Sequence, residues 1–329
     1  VTRRGFLKTG AVAGLIGSRA WELLAAEPRQ GMPYRKLGKT GVEVSALGIG
    51  GSHIGGKPTE PEAIEIIRAA LDGGINFLDN CWDYHAGTSE IRMGKALRDG
   101  YREKAFLMTK IDGRDAKSAE KQINESLTRL QTDHIDLMQF HEIIRMEDPE
   151  KIFAKGGALE AVVKAKEAGK LRFIGFTGHK SPEIHLKMLE VGDAHSFRFD
   201  TVQMPLNVMD AHYESFGAKV LPELVKREIG VLGMKSMGSG EILKSKAVEA
   251  TECLRYAMSL PTSVVITGCD SMKILQQALE VGRGFKVMDK AELAALLQRS
   301  APPAAAGQFE LYKTSTFFDG TTQHPEWLG

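Results

Sequence analysis

Asp79, Tyr84, Lys110 and His141 carry the side chains needed to deliver a proton to a carbonyl oxygen. A carbonyl that accepts hydride needs that proton near neutral pH, and tyrosine is a usable acid there only if its pKa of about 10 is pulled down. A neighbouring ammonium does this by stabilising the phenolate, and a buried ammonium in turn needs a carboxylate partner. A neutral imidazole can orient the carbonyl and share the proton. The four residues supply one part each, so together they suggest hydride-linked interconversion of a carbonyl and an alcohol. The plainer alternatives are a structural ion pair between Lys110 and Asp79 and a packed Tyr84. Only the position of these residues in the fold separates the readings.

That position follows from the alternation of elements. From residue 34 onward, short apolar runs alternate with amphipathic stretches. Tyr34–Leu37 and Val42–Ala46 flank Gly38-Lys39-Thr40-Gly41 and read as a β-hairpin. Strands are predicted at Ala46–Ile49, Asn76–Leu78, Ala105–Met108, Ile135–Gln139, Arg172–Phe176, Thr201–Gln203, Gly230–Met234 and Ser263–Thr267. Between them, Pro61–Gly73, Ser118–Leu130, Ala158–Ala168, Pro182–Val191, Leu221–Arg227 and Lys246–Met258 have helical spacing. Strand followed by helix with short connections implies parallel strands and right-handed crossovers. Eight such units favour a closed (β/α)8, or TIM, barrel, which needs about 250 residues. An open dinucleotide-binding sheet would want G-x-G-x-x-G at its first turn, and Gly48-Ile49-Gly50-Gly51-Ser52 lacks that spacing. Barrel active sites lie at the C-terminal ends of the strands. Asp79 and Tyr84 follow the second predicted strand, Lys110 the third and His141 the fourth.

With these pieces in order, the chain resembles the aldo-keto reductases over roughly residues 34–285. The resemblance rests on Gly74-Ile75-Asn76-Phe77-Leu78-Asp79 with Tyr84 five residues on, Gly87-Thr88-Ser89-Glu90, Met93-Gly94-Lys95-Ala96-Leu97, Thr109-Lys110 and Asp136-Leu137-Met138-Gln139-Phe140-His141. It implies that Tyr84 is the acid, Lys110 and Asp79 its partners, and His141 the residue that orients substrate. It also implies a nicotinamide cofactor, NAD or NADP. Thr177 and Gln203 would meet the nicotinamide amide, Lys235 and Ser236 the pyrophosphate, and Gly268, Asp270 and Gln277 the adenosine end. The chain departs from the family where Thr177-Gly178-His179 follows the fifth strand and Met234-Lys235-Ser236-Met237 the seventh. An aspartate near a ribose favours a free 2′-hydroxyl, so Asp270 tilts the expectation toward NAD.

His53, Trp82, His85 and His179 are expected to line the substrate pocket. A rim rich in His and Asp suits a hydroxylated substrate such as a sugar. Their spacing gives no metal-ligand pattern, so no metal is expected. The formal charge of +1 gives no electrostatic case for nucleic acid. Cys81, Cys253 and Cys269 match neither a redox pair nor a metal knuckle.

The N-terminus reads Thr2-Arg3-Arg4-Gly5-Phe6-Leu7-Lys8, then an uncharged run from Thr9 to Gly17, and resembles a twin-arginine export signal. The expected partner is the twin-arginine machinery and the expected location periplasmic or exported, or cytoplasmic if the signal does not function. No stretch is long and apolar enough for a stable membrane span. The organisation expected is signal and linker over 1–30, barrel over 31–300, a linker-like break at Ala301–Ala306, and a tail over 301–329 packed on the barrel. Export raises an alternative, because free reduced nicotinamide is scarce outside the cytoplasm. A tightly held cofactor cycling on one substrate would make a redox-neutral epimerase or lyase.

Overall fold

The computed structural model describes residues 25–329. The paired arginines and the apolar run behind them lie outside the described residues.

An antiparallel sheet of β1 (Ala25–Arg29), β2 (Met32–Lys36) and β3 (Glu43–Ser45) precedes the barrel. Strand β1 occupies part of the stretch expected to be linker. Its sequence, Ala-Ala-Glu-Pro-Arg, has little β propensity, but it lies at the sheet's edge. The pairing with β2 shifts register between Ala26 and Arg29, where Pro28 needs no ladder donor.

Eight parallel strands then close into a barrel: β4 (Leu47–Gly50), β5 (Phe77–Asp79), β6 (Phe106–Ile111), β7 (Ile135–Phe140), β8 (Leu171–Thr177), β9 (Thr201–Pro205), β10 (Gly230–Met234) and β11 (Val264–Thr267). Closure is between β11 and β4, where Val265 pairs with Leu47 and Thr267 with Ile49. Phe77, Phe106, Met108, Leu137, Leu232, Val264 and Ile266 form one apolar cluster, which Leu37 and Val44 of the hairpin join. Gly38 packs against the backbone of Gly230 at the start of β10, so the hairpin plugs the barrel at its N-terminal end. A second, larger core lies between the strands and the outer helices. That arrangement leaves the C-terminal ends of the strands free for chemistry.

Polar side chains cap helices that follow the strands. Asp115 accepts from the backbone N–H groups of Lys117 and Ser118 to start helix Ala116–Leu130, and Ser181 caps Pro182–Ala194. The break expected at Ala301–Ala306 is instead the end of helix Lys290–Ala304, which also crosses the boundary drawn at residue 300. Pro302 and Pro303 lie in its last turn, where each lacks the N–H that would bond four residues back, and the helix ends directly after them. Buried Leu293, Leu296, Leu297 and Ala304 hold that helix in place. Among the described residues no helix is long and apolar enough to cross a membrane.

Candidate active site

Strand ends set the positions of the reactive side chains. Asp79 is the last residue of β5, Lys110 lies one from the end of β6, and His141 follows β7 directly. Tyr84 opens a short turn after β5 in which His85, Ala86 and Gly87 all have positive φ, reversing the chain so that helix Thr88–Ala96 can begin.

These four residues meet. Lys110 Nζ forms an ion pair with Asp79 Oδ1, donates to the Asn80 carbonyl at 2.7 Å and reaches the Tyr84 hydroxyl at 3.3 Å. The Tyr84 and His141 rings meet edge to face, with centroids 5.9 Å apart. Gln203 in β9 donates from Nε2 to Asp79 Oδ2 at 3.0 Å, so both carboxylate oxygens are engaged. Burial of Lys110 would by itself lower its pKa, but Asp79, Tyr84 and Cys81 together hold the ammonium above its ordinary range.

The expected depression of Tyr84 is not found. Burial pushes the phenol well above its usual range, and the opposing pull of Lys110 does not overcome it. The Lys110 charge is already answered by Asp79, which itself disfavours phenolate. Tyr84 therefore rests as the protonated phenol, the form an acid needs for reduction.

Supporting contacts show why the motif residues around the site are what they are. Glu90 is buried and accepts from Thr109 Oγ1 at 2.6 Å, bracing the residue before Lys110. Gly94 places helix Thr88–Ala96 against helix Ala116–Leu130, where an added Cβ would lie 2.5 Å from the Arg129 carbonyl. At Gly178 an added Cβ would run into the Ile143 carbonyl, so no side chain fits there.

His141 has carboxylates that its spacing alone did not single out. Its Nδ1 lies 2.8 Å from Asp112 Oδ1 and 3.7 Å from Asp83 Oδ1. Arg114 binds the carbonyls of Asp112, His141 and Glu142 and pairs with Asp148, tying the loops after β6 and β7 together.

The remaining sequence-derived candidates divide. Thr177 and Gln203 face the same strand ends as the tetrad. Among the described residues the Thr177 hydroxyl has only the Met234 sulfur, at 3.9 Å, and Gln203 Oε1 is buried without a partner. A buried acceptor and a nearly free hydroxyl there fit a ligand carboxamide, so these residues are suited to a nicotinamide. Lys235 adopts a left-handed backbone, and its ammonium lies 4.5 Å from the centre of the Phe318 ring and 5.3 Å from that of Tyr312. Burial lowers its pKa to about 8. Ser236 is buried beside it. Gly268 lies against the His53 ring, Asp270 pairs with Lys57 at 2.9 Å, and Gln277 is exposed on helix Met272–Arg283.

The pocket-lining candidates are less alike than expected. His53 and His85 are exposed, with His85 Nε2 2.8 Å from the Ser52 carbonyl. Trp82 donates to Glu125 at 2.7 Å and packs edge-on against Trp327. His179 is buried, with Nε2 3.0 Å from Asp319 in the tail, so it braces the tail and does not face an open rim.

The tail itself crosses this end of the barrel. Glu142 accepts from the backbone N–H groups of Gly320 and Thr321 at 2.7 and 2.6 Å. Asn207 donates to the Tyr312 hydroxyl at 2.7 Å, and buried Lys313 pairs with Asp210 at 2.8 Å. The Leu328 and Trp327 carbonyls accept from the Arg114 backbone and from Gln122.

A closed parallel barrel with an Asp–Lys–Tyr–His group at its C-terminal mouth defines a class of oxidoreductase. Residues 46–253 match the aldo/keto reductase family, and the chain belongs to that family. It is 33% identical over 233 residues to the aldo-keto reductase YhdN of Bacillus subtilis, a match covering 66% of each chain. It is 38% identical over 156 residues to L-galactose dehydrogenase of Arabidopsis thaliana, covering 44% of this chain and 48% of that one. These matches span two thirds or less of the relatives' own lengths. Among solved structures, the holo form of aldo-keto reductase AKR11C1 from Bacillus halodurans superposes with a TM-score of 0.68 at 22% identity. That superposition covers 82% of this chain and 96% of the other.

Proposed function

We propose that the protein is a nicotinamide-dependent reductase that interconverts a carbonyl and a secondary alcohol, with a hydroxylated substrate such as a sugar. The contact chain from Asp79 through Lys110 to Tyr84 at the barrel mouth carries this reading. Bound reduced nicotinamide would supply the hydride, held by Thr177 and Gln203 at its amide and by Lys235 and Ser236 toward its phosphates. Tyr84 gives its proton to the reacting oxygen in reduction and takes it back in oxidation. Lys110, fixed by Asp79, lowers the cost of phenolate as that proton leaves. His141 orients the oxygen. The sugar preference draws on the exposed histidines His53 and His85 and on the dehydrogenase relative, whose name specifies L-galactose.

Asp270 favours NAD over NADP, although its pairing with Lys57 places a cation at the same spot. Identifying the nucleotide released on denaturing the purified protein tests this. Export through the twin-arginine route is proposed from Arg3 and Arg4. Replacing both with lysine should retain the protein in the cytoplasm, and unchanged fractionation would refute it.

Tyr84→Phe tests the central reading. It keeps the ring and removes the proton, so kcat/KM for carbonyl reduction should fall by roughly 10²–10⁴-fold. Equal activity of wild type and variant on every carbonyl that turns over would overturn the assignment.

A further inference from the structure

Asp112 and Asp83 approach His141 from two different loops, and the contacts are more than the orientation of a ring requires. Asp112 follows β6, is fully buried and accepts through Oδ1 from His141 Nδ1 at 2.8 Å. Asp83 comes from the turn after β5 and lies 3.7 Å from the same nitrogen. One oxygen of each carboxylate, Asp112 Oδ2 and Asp83 Oδ1, is buried without a hydrogen-bond partner among the described residues. Two poorly solvated carboxylates about one imidazole favour a positive charge between them. With Nδ1 engaged, Nε2 is the nitrogen left to meet a substrate.

We propose that Asp112 and Asp83 are positioning residues that hold His141 as an imidazolium, a standing positive charge that stabilises the negative oxygen developing as a carbonyl is reduced. The inference rests on the reductase reading above and adds a charge state to it. An imidazolium binds the developing alkoxide better than it binds a carbonyl, so it lowers the barrier to hydride transfer. Tyr84 still delivers the proton, and His141 keeps its own.

Every charged group facing His141 fits this account. Burial alone would lower the His141 pKa, but Asp112, Asp83 and Glu142 together raise it. Asp83 is itself pushed up to about 6 by burial, against the pull of His141. Lys110 is bound to Asp79, and Arg114 is directed to Asp148 and to backbone carbonyls. Lys235 lies across the mouth, where its charge faces Glu142 and Lys110. Cys81 is buried and donates to the Lys110 carbonyl. With burial driving its pKa well up, it stays a neutral thiol.

The test is nitrogen NMR on full-length protein labelled with ¹⁵N-histidine, the His141 signals being assigned by their loss in His141→Gln. Wild-type His141 should keep both ring nitrogens protonated past the ordinary midpoint of about 6.5. Asp112→Asn should move that midpoint down by about 1 pH unit or more. Asp83→Asn, tested separately in case Asp112→Asn does not fold, should move it in the same direction. Asp112→Glu should restore part of the shift. In parallel, the high-pH fall in kcat/KM for carbonyl reduction should move down with the NMR midpoint in each variant.

A wild-type His141 that titrates at or below about 6.5, or a midpoint indifferent to both Asp→Asn changes, overturns the proposal. A shifted NMR midpoint with an unshifted rate profile overturns the catalytic use of the charge. Failure of the reductase reading looks different: no carbonyl is turned over, while the spectrum still decides whether the clamp exists.

Discussion

At the scale of single residues, the site depends on charges that answer one another out of contact with water. Lys110 is 1% exposed, and among the described residues the Asp79 carboxylate bonds only to Lys110 and Gln203. Lys110→Met should leave the carboxylate buried and uncompensated, costing roughly 3–5 kcal/mol in urea unfolding. Adding Asp79→Asn should recover much of that loss, and a double variant no more stable than Lys110→Met would show that the pair is not the source. Neither variant should retain carbonyl reduction. The tetrad is legible in the chain because each member sits at or just past the end of an apolar strand. Asp112 and Asp83 follow the same strands, but their approach to His141 depends on how neighbouring strand ends curve together. The sign of the Tyr84 shift is not legible in the chain for a related reason: it depends on burial, which spacing does not report.

At the scale of elements, the packing of helix Thr88–Ala96 on helix Ala116–Leu130 sets where Trp82 and Arg129 stand behind the site. Alanine favours a helix over glycine by about 1 kcal/mol, yet a methyl at position 94 meets the backbone of Arg129 and Leu130 at 2.5–2.7 Å. Gly94→Ala should therefore destabilise by about 1–3 kcal/mol, read as a lowered urea midpoint. A raised midpoint would mean that the helices separate freely. The eight barrel strands stood out in the sequence because parallel strands are buried on both faces and read as apolar runs. Their C-terminal limits are less legible, because polar or small residues continue the strand toward the mouth. Strand β6 runs on through Lys110 to Ile111, and β9 continues past Gln203 to Pro205. Proline and alanine obscure two elements, hiding β1 and suggesting a break within helix Lys290–Ala304.

At the scale of the whole molecule, the tail and the barrel mouth form one unit joined by ionisable groups. Burial lowers the His179 pKa, with Asp319 opposing, so the unfolded chain binds more protons there than the docked one. The stability gained from a neutral His179 is present above about pH 6.5 and is lost as pH falls below it. Burial would raise the Asp319 pKa, but bonds from His179 and Lys180 hold it below the ordinary carboxylate value. Its contribution is present above about pH 3.9 and is lost as pH falls through the lower folded value. Cleavage by an acid-tolerant protease within residues 305–321 should therefore accelerate as pH drops from 7 toward 4, with the barrel still folded. Cleavage independent of pH would show that other contacts dominate the docking. Nothing local announces these contacts, since Glu142 and Asn207 find their tail partners more than 100 residues away in the chain. The same distance has a consequence for synthesis. All four residues of the tetrad leave the ribosome well before residues 310–321, which brace the loops around them. The mouth is thus finished last, and a nascent chain holds its reactive groups for some time before it has the frame to use them.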